Sequence, residues 1–397
     1  MQSKKNYFEY LVIFLLISFA LYLCFINNYG WDWDTYAMLD TFLNLKDEGI
    51  YIKSRGAGYL IPEIGIGFLA YNFGSTVINF VTFLFLIIGL FYFFKAGVKL
   101  LKFEEDYSLN FILFLILCLS NHIIMRDSTI PMDYSWSFMM YSIGLYALTI
   151  KKYEIAILFF SLCFGSRFNF IIFIIPTIVF FDNNTLNLEK KIIHILIIVF
   201  FGCLFYVPSW LQSQFSLSFI YSEQAMFKKN AILSIEEVAR FLYKILKTFG
   251  IISLLFILYQ FLKLKNVILK YKFYLILILF NFILFFVFPW EPSFLWLSIV
   301  SIFLILVLQI NYKMIYLLIF FNLFNWFYQL EIVRIKYVKN NCFKSPISAN
   351  ISLHFTKGLV LSQQNRLDDV RCYPDLLGSN TKIMNYREKI LSGRKLK

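Results

Sequence analysis

The chain has 397 residues, of which 60% are hydrophobic and 15% are charged, whereas about a quarter of the residues of a soluble globular protein carry a charge. Apolar blocks of roughly 15 to 20 residues recur along its whole length and are separated by short charged stretches, which is typical of a helical membrane protein. The composition therefore excludes a soluble protein and predicts an all-α polytopic fold.

The formal net charge is +13, and its distribution excludes nucleic acid as a partner. Residues 331–397 hold thirteen Lys or Arg and five Asp or Glu, a net charge of +8, so most of the excess lies in the C-terminal tail. The other positive residues lie in short loops between apolar blocks, where they orient helices in the membrane. The expected surroundings of the chain are membrane lipids.

The first apolar block predicts a membrane helix that orients the rest of the chain. Lys4 and Lys5 precede an apolar run over Phe8–Ile26, which is too long for a signal peptide and lacks a small-residue cleavage site. We interpret this run as a retained helix with its amino end in the cytoplasm. The polar loop that follows, residues 28–74, then lies on the outer face.

The first outer loop is predicted to end in a helix at the membrane interface. Leu60–Phe73 is apolar but short, and a longer apolar run covers Thr76–Phe94. The lysines that follow the longer run lie on the cytoplasmic face only if the short helix does not cross the membrane. These lysines are Lys95, Lys99 and Lys102.

The remaining apolar blocks predict helices that alternate outward and inward and bring the total to about eleven: Leu109–Met125, Trp136–Ile150, Tyr153–Gly165, Phe168–Phe181, Ile192–Val207, Gly250–Leu262, Phe273–Phe288, Phe294–Ile310 and Ile315–Tyr328. A later outer loop, residues 208–247, is amphipathic, and Ser234 with Glu237 resembles a helix capping box. Residues 1–330 are thus predicted to form a transmembrane domain. Residues 331–397 are predicted to form a basic polar tail on the outer, periplasmic side.

Two aspartates early in the first outer loop are candidates for a general base. Asp32 and Asp34 follow the first helix closely and lie among Trp31, Trp33 and Tyr36. A carboxylate at the membrane surface can take a proton from an acceptor hydroxyl, and the aromatic residues suit contact with a sugar or a lipid. The alternative is an aromatic belt at the interface with solvated acids.

Two arginines are candidates for binding a lipid phosphate. The stretch SRGAGYLIPE holds Arg55, Tyr59 and Glu63, with glycines that permit close approach of the backbone. Arg167 lies in FGSRFNF, between two short apolar blocks. The alternatives are a loop that only turns into the interfacial helix, and an arginine that extends from the apolar region to the interface.

The stretch MRDSTIPMDYSWSF adds Arg126, Asp127 and Asp133 to the outer face. Asp133 is a candidate for binding an acceptor or a cation, whereas Asp127 is interpreted mainly as a local partner of Arg126. His122 is interpreted as a hydrogen-bonded helix residue, and Glu291 as a turn residue between two prolines.

Other site chemistries have no support in the sequence. It contains no Walker-type phosphate loop, no GxSxG, no HExxH and no paired cysteine metal motif. Its three histidines are scattered, and Cys342 and Cys372 would form one disulfide if the tail faces an oxidising compartment. No metal site is predicted, and a divalent cation is only an alternative to arginine for holding a phosphate.

Taken together, these features resemble the GT-C superfamily of polytopic glycosyltransferases, which includes protein mannosyltransferases and the aminoarabinose transferases of lipid A. The shared features are an amino-terminal helix, an outer loop with early aspartates, and a Gly-Tyr before a proline-led helix. Asp133 in the next outer loop and the Gly165-x-Arg167 junction also match. The resemblance covers roughly Phe8–Phe181, and the chain departs from many relatives in lacking paired prolines after Tyr59.

The resemblance implies that a sugar is transferred, with inversion, from a polyprenyl-phosphate carrier to an acceptor hydroxyl on a glycan, a lipid or a protein at the outer face. It implies that Asp34 is the base, with Asp32 as the alternate, and that Arg55, Arg167 and Tyr59 hold the donor phosphate. Asp133, Glu63 and Arg126 would contact the acceptor or support the site.

The abundance of Phe, Ile, Lys and Asn is typical of an AT-rich bacterial genome, which makes undecaprenyl phosphate the expected carrier. The expected location is then the bacterial inner membrane, with the site facing the periplasm. Two other functions are alternatives: an O-antigen polymerase or ligase, and a transporter of lipid-linked saccharides. A transporter is expected to contain helices that are broken within the membrane.

Overall fold

A computed structural model describes residues 6–27, 29–30, 33–54, 58–103, 107–181, 187–215, 235–264, 268–287, 292–333 and 348–353. Several predicted features lie outside these residues, namely Asp32, Arg55, Ser234, Glu291, Cys342, Cys372 and most of the tail.

The α-helices of the described residues are α1 Asn6–Ile26, α2 Trp33–Glu48, α3 Leu60–Phe73, α4 Ser75–Leu101, α5 Tyr107–Ser120, α6 His122–Ser128, α7 Asp133–Thr149, α8 Tyr153–Ser166, α9 Ile171–Phe180, α10 Leu188–Leu204, α11 Val207–Gln212, α12 Ile235–Phe249, α13 Ile251–Lys263, α14 Lys272–Val287, α15 Trp296–Gln309 and α16 Tyr312–Phe327.

The helices identify a membrane-embedded protein. Within the described residues, α1 and α4 are each long and apolar enough to cross a membrane. The number rises to four if the bent pairs α5 with α6 and α12 with α13 each count as one span. Large apolar side chains on α1, α10 and α13 point outward, as helices surrounded by lipid require. These apolar helices support a helical membrane protein, whereas the predicted count of about eleven spans is not confirmed.

Aromatic contacts fix the relative direction of α4 and α7. Phe85 packs edge-on against Trp136 with 4.8 Å between ring centroids, and Tyr92 lies 5.5 Å from Tyr146. Both contacts advance in the same chain direction, so the two helices run parallel. Their amino ends therefore lie at the same face of the molecule.

Helix α8 runs antiparallel to α7. The Cys163 thiol donates a hydrogen bond to the Ser137 carbonyl, and further along α7 the ring of Phe160 lies so close to Gly144 that a side chain there would collide with it. The end of α8 thus lies beside the start of α7. We call this side of the protein, where α7 begins and α8 ends, the site face.

Two helices break where single long helices would cross the membrane. The sequence predicts one helix over Leu109–Met125, but α5 and α6 are bent by 82° at Asn121. This correction has a local cause, because the Asn121 side chain accepts hydrogen bonds from the backbone N–H groups of Ile123 and Ile124 and caps a new helix. The second break, of 91°, lies at Gly250 between α12 and α13.

Side-chain donors satisfy the carbonyl groups that these breaks release. Asn325 Nδ2 donates to the Phe249 carbonyl at 2.7 Å, and the indole nitrogen of Trp326 donates to the Ser120 carbonyl at 2.7 Å. Asn121 Nδ2 donates to the Thr248 carbonyl at 3.0 Å, which joins the two breaks directly. An apolar bundle requires such partners because lipid offers no hydrogen bonds to exposed backbone.

The described residues also contain one pair of strands, which departs from the predicted all-α fold. Strand β1, Tyr328–Val333, directly follows α16 and pairs antiparallel with β2, Ser348–Leu353, with Tyr328 opposite Leu353. The predicted boundary between residues 330 and 331 therefore falls within a strand. The strand follows α16 without an intervening loop.

Candidate functional site

The centre of the candidate site is an ion pair between two helix ends at the site face. Asp133 is the first residue of α7, and Arg167 is the extended residue that separates α8 from a 3-10 turn over Phe168–Phe170. Arg167 Nη1 lies 3.1 Å from Asp133 Oδ1, and the two side chains are 5% and 0% exposed. Arg167 is therefore held inside the protein.

Aromatic rings surround the Arg167 guanidinium. Its central carbon lies 3.8 Å from the centroid of the Tyr134 ring and 5.1 Å from that of Phe294. Aromatic faces attract a cation, so these rings and Asp133 together keep the side chain charged and in one orientation. This placement is consistent with the supporting role predicted for Asp133.

A small cleft adjoins this arginine. Side chains with polar groups in its lining are those of Tyr134, Arg167, Asn169, Ser293 and Trp296, and Phe170 and Phe173 contribute part of an apolar wall. The cleft volume is about 20 Å³, which is room for about one water molecule. A sugar phosphate could occupy it only after the surrounding side chains separate.

A second buried pair lies beside the cleft. Arg126 Nε is 2.6 Å from Asp127 Oδ1, and the Ser293 hydroxyl donates a hydrogen bond to the other carboxylate oxygen, Asp127 Oδ2. Because Ser293 also lines the cleft, it connects this pair to the site. The local pairing of Asp127 with Arg126, which the sequence favoured, is present, and both are buried rather than solvated.

The start of the first loop lies against the segment that leads into Asp133. Asn27 Nδ2 donates to Thr129 Oγ1 at 3.1 Å, and the Thr35 hydroxyl donates to the Pro131 carbonyl at 3.4 Å. Asp34 precedes Thr35 in the first turn of α2 and is partly buried. The structure thus brings the predicted base to the site face, near the start of α7, while Asp32 lies outside the described residues.

The Glu63 side chain forms hydrogen bonds within the first loop. This fully buried carboxylate accepts a hydrogen bond from the Tyr51 hydroxyl at 2.6 Å and bonds from both the backbone N–H and the hydroxyl of Ser54. It therefore fastens the loop to the first turn of α3. Residues 55–57, which include Arg55, lie outside the described residues, but Ser54 and Gly58 on either side of them have defined places.

Helix α11 completes this attachment. The Tyr51 and Ser209 hydroxyl oxygens are 3.2 Å apart, and the Lys53 backbone N–H donates to Gln212 Oε1 at 3.1 Å. A Cβ atom on Gly58 would lie 1.9 Å from Ser209 Oγ, and its φ of +71° also favours glycine. The close approach of loop and helix therefore requires glycine at this position.

Tyr59 connects the first loop to the Arg167 junction through Tyr206. The two tyrosine rings meet edge to face at 6.5 Å, and Tyr206 lies 5.8 Å from Phe168, the residue after Arg167. Tyr206 donates a hydrogen bond to the Phe164 carbonyl at 2.5 Å. Tyr59 is therefore linked to the residue after Arg167 through Tyr206.

Of the predicted residues, Arg167 lines the cleft, Asp133 pairs with Arg167, and Arg126 is connected to the cleft through Asp127 and Ser293. Asp34 and Tyr59 lie on the same face. Sequence reasoning missed the residues that complete the site, namely Asn169, Ser293, Trp296, Tyr51 and Ser209. These polar and aromatic residue types are common, and nothing in the sequence around them marks them as site residues. Only their contacts with residues distant in the chain do so. Among the described residues, no group of three or more His, Cys, Asp or Glu is placed to hold a metal ion.

Comparison with known protein families found no family that matches the chain, and comparisons with curated proteins and with solved structures found no match either.

Proposed function

We propose that this membrane protein is a glycosyltransferase that uses a polyprenyl-phosphate sugar as donor. The observation that carries the proposal is the buried Arg167, fixed by Asp133 and by aromatic rings in a cleft at the ends of apolar helices. A lipid-linked donor needs an apolar surface for its tail and a cation for its phosphate at the level of the membrane surface. The GT-C resemblance of the first 181 residues agrees with this chemistry.

In the proposed reaction, the acceptor hydroxyl oxygen attacks the anomeric carbon of the donor sugar. Its proton passes to the Asp34 carboxylate, with Asp32 as the alternate base. The bond from the anomeric carbon to the phosphate oxygen breaks, and the lipid phosphate leaves with the electron pair. Attack from the opposite side inverts the anomeric carbon, and the acceptor is a hydroxyl of a glycan, a lipid or a protein.

The cationic residues have separate roles in this proposal. Arg167 and Arg55 bind the leaving phosphate, and the Tyr59 hydroxyl donates a further hydrogen bond to it. A guanidinium has five N–H donors, so an ion pair of Arg167 with Asp133 through Nη1 is compatible with a second anion. Arg126 supports the cleft through Asp127 and Ser293, and Glu63 positions the loop that carries Arg55.

The experiment is a transfer assay in proteoliposomes with radiolabelled undecaprenyl-phosphate sugars as donors and a membrane extract as acceptor. We expect Asp34→Asn to lower the transfer rate by about 100-fold or more, the range typical for loss of a general base. The matched control is Asp47→Asn, which removes an exposed carboxylate from the same helix, α2. Full activity in both Asp34→Asn and Asp32→Asn would overturn the assignment of the base.

One observation favours a second candidate function, transport of a lipid-linked saccharide. The breaks at Asn121 and Gly250 contact each other through the hydrogen bond from Asn121 to Thr248, and transporters build their binding sites from broken helices. The two functions differ in a flip assay with a fluorescent lipid-linked saccharide and no acceptor. Translocation that persists in Asp34→Asn supports the transporter, whereas transfer without translocation supports the glycosyltransferase.

A further inference from the structure

Two side chains beside Arg167 each have a buried polar atom with no hydrogen-bond partner among the described residues. These atoms are Asn169 Oδ1 and the indole nitrogen of Trp296, and both side chains line the same cleft as Arg167. Trp296 is 4% exposed, so water outside the protein does not reach its N–H group. Buried polar groups without partners destabilise a fold, and such a pair in one cleft indicates that a ligand supplies the missing bonds.

Both atoms belong to side chains near Arg167, one through its position in the chain and the other through ring contacts. Asn169 lies two residues after Arg167, in the turn that follows it. The Trp296 ring lies 6.0 Å from the Tyr134 ring, on which the Arg167 guanidinium rests at 3.8 Å. The side chains that line the cleft therefore include an amide oxygen acceptor and an N–H donor next to a cation, and both of these atoms are buried in this structure.

An acceptor, a donor and a cation in one place restrict which kind of ligand fits the cleft. A lipid tail would leave both polar atoms without partners. A bare phosphate is bound by the Arg167 guanidinium but, when fully ionised, offers no donor to the Asn169 oxygen. A hydroxylated ring attached to a phosphate provides donors, acceptors and a negative charge, so it can satisfy all three side chains.

We propose that Asn169 and Trp296 bind the sugar ring of the donor and select for it, while Arg167 binds the phosphate. Asn169 Oδ1 accepts a hydrogen bond from a sugar hydroxyl or amino group, and the Trp296 N–H donates to a sugar oxygen. This inference rests on the proposed function, which it deepens by separating the sugar contacts from the phosphate contact. The cleft has a volume of about 20 Å³ in this structure, so binding of the ring requires it to open.

The experiment measures dissociation constants for the full-length protein in nanodiscs. The probes are bare undecaprenyl phosphate and three glycosylated forms, which carry glucose, mannose or galactose. The test variants are Trp296→Phe, which removes only the indole N–H and part of the ring, and Asn169→Leu, with Asn169→Ser as a milder replacement. The matched control is Trp136→Phe, because the Trp136 indole nitrogen is also buried without a partner but does not line the cleft.

We expect at least one glycosylated probe to bind more tightly than bare undecaprenyl phosphate. Each test variant should weaken binding of that probe by about three- to tenfold, the contribution of one hydrogen bond. Binding of bare undecaprenyl phosphate should not change, which also shows that the variants are folded. Trp136→Phe should bind all probes like the wild type.

Three results would overturn the inference. No preference for any glycosylated probe would show that the cleft does not select a sugar, and equal weakening of all probes would place both side chains at the phosphate. Unchanged binding in every test variant would mean that a resident water alone satisfies the two atoms. The proposed function is tested separately with Arg167→Met, because unchanged binding of bare undecaprenyl phosphate in that variant would count against the phosphate site itself.

Discussion

Asp133 and Arg167 lie 34 residues apart in the chain, yet their side chains form an ion pair with 3.1 Å between Oδ1 and Nη1. The ion pair connects the first residue of α7 to the residue after α8, so it holds these two antiparallel helices together at the site face. Both side chains are buried, and each charge therefore depends on the other for its stabilisation. The same contact fixes the helix pair and orients the cation of the cleft.

Replacement of Asp133 by Asn should destabilise the protein strongly. It leaves the Arg167 charge buried without its carboxylate, a change that typically costs about 3–5 kcal/mol. Thermal unfolding of the purified protein in detergent measures the effect. Asp47→Asn serves as the control, since the Asp47 carboxylate is exposed, and we expect it to leave the unfolding temperature unchanged. Similar small shifts in both variants would show that the buried pair contributes little.

Replacement of Gly58 by Ala should detach the first loop from α11. The new Cβ atom would lie 1.9 Å from Ser209 Oγ and 2.7 Å from the Tyr51 hydroxyl, so one of these contacts must break. Gly49→Ala is the matched control, because Gly49 also has a positive φ, +68°, but no atom lies within 4 Å of its Cβ position. The control should show only the strain of a left-handed backbone, about 1–2 kcal/mol.

The readouts for the Gly58 prediction are the unfolding temperature and the rate of sugar transfer. Gly58→Ala should lower both by more than Gly49→Ala does, because the loop that carries Arg55 shifts. Adding Ser209→Gly should restore part of the loss, since it removes the closest of the colliding atoms. Equal effects of the two alanine variants would contradict the close packing of Gly58 against α11.

The sequence predicts the helix positions well where polarity changes sharply. The predicted interfacial helix and α3 share the bounds Leu60–Phe73, because polar loop residues precede it and Gly74, with a φ of +83°, separates it from α4. The break at Asn121 was missed, since one asparagine in an apolar run is compatible with an unbroken helix. Its bent conformation depends on partners such as Thr248, which are distant in the chain.

The site was predictable only in part, for a similar reason. Alternation of the helices placed Asp34, Asp133 and Arg167 on one face, but the pairing of Asp133 with Arg167 depends on how α7 and α8 pack. Trp296 and Ser293 are more than 120 residues from Arg167 and carry no recognisable motif. Glu63 was predicted as a site residue, and only its bonds to Tyr51 and Ser54 show that it fastens the loop.

Replacement of Asn325 by Leu should destabilise the junction of the two broken helices. It leaves the Phe249 carbonyl, which Asn325 Nδ2 binds at 2.7 Å, without its donor in an apolar bundle. We expect a loss of about 1–3 kcal/mol in the free energy of unfolding, the typical effect of an unsatisfied buried group. The control is Asn72→Leu, because Asn72 is exposed and binds only the carbonyl of Phe68 in its own helix. Equal losses in the two variants would show that the junction does not depend on this bond.

Labelling of introduced cysteines should show that the two ends of α7 lie on opposite sides of the membrane. Asp47, in α2 of the first loop, belongs to the proposed outer face, and Lys151 lies in the turn between α7 and α8 at the other end of these helices. Both positions are exposed, so Asp47→Cys and Lys151→Cys should react equally once the membrane is permeabilised. With intact cells and an impermeant maleimide, we expect only Asp47→Cys to react, because lysines are retained on the cytoplasmic side.

Cys203, Cys342 and Cys372 are replaced by Ser in both proteins to remove background. Reaction of both variants in intact cells would mean that α7 does not cross the membrane, and reaction of Lys151→Cys alone would place the site face in the cytoplasm.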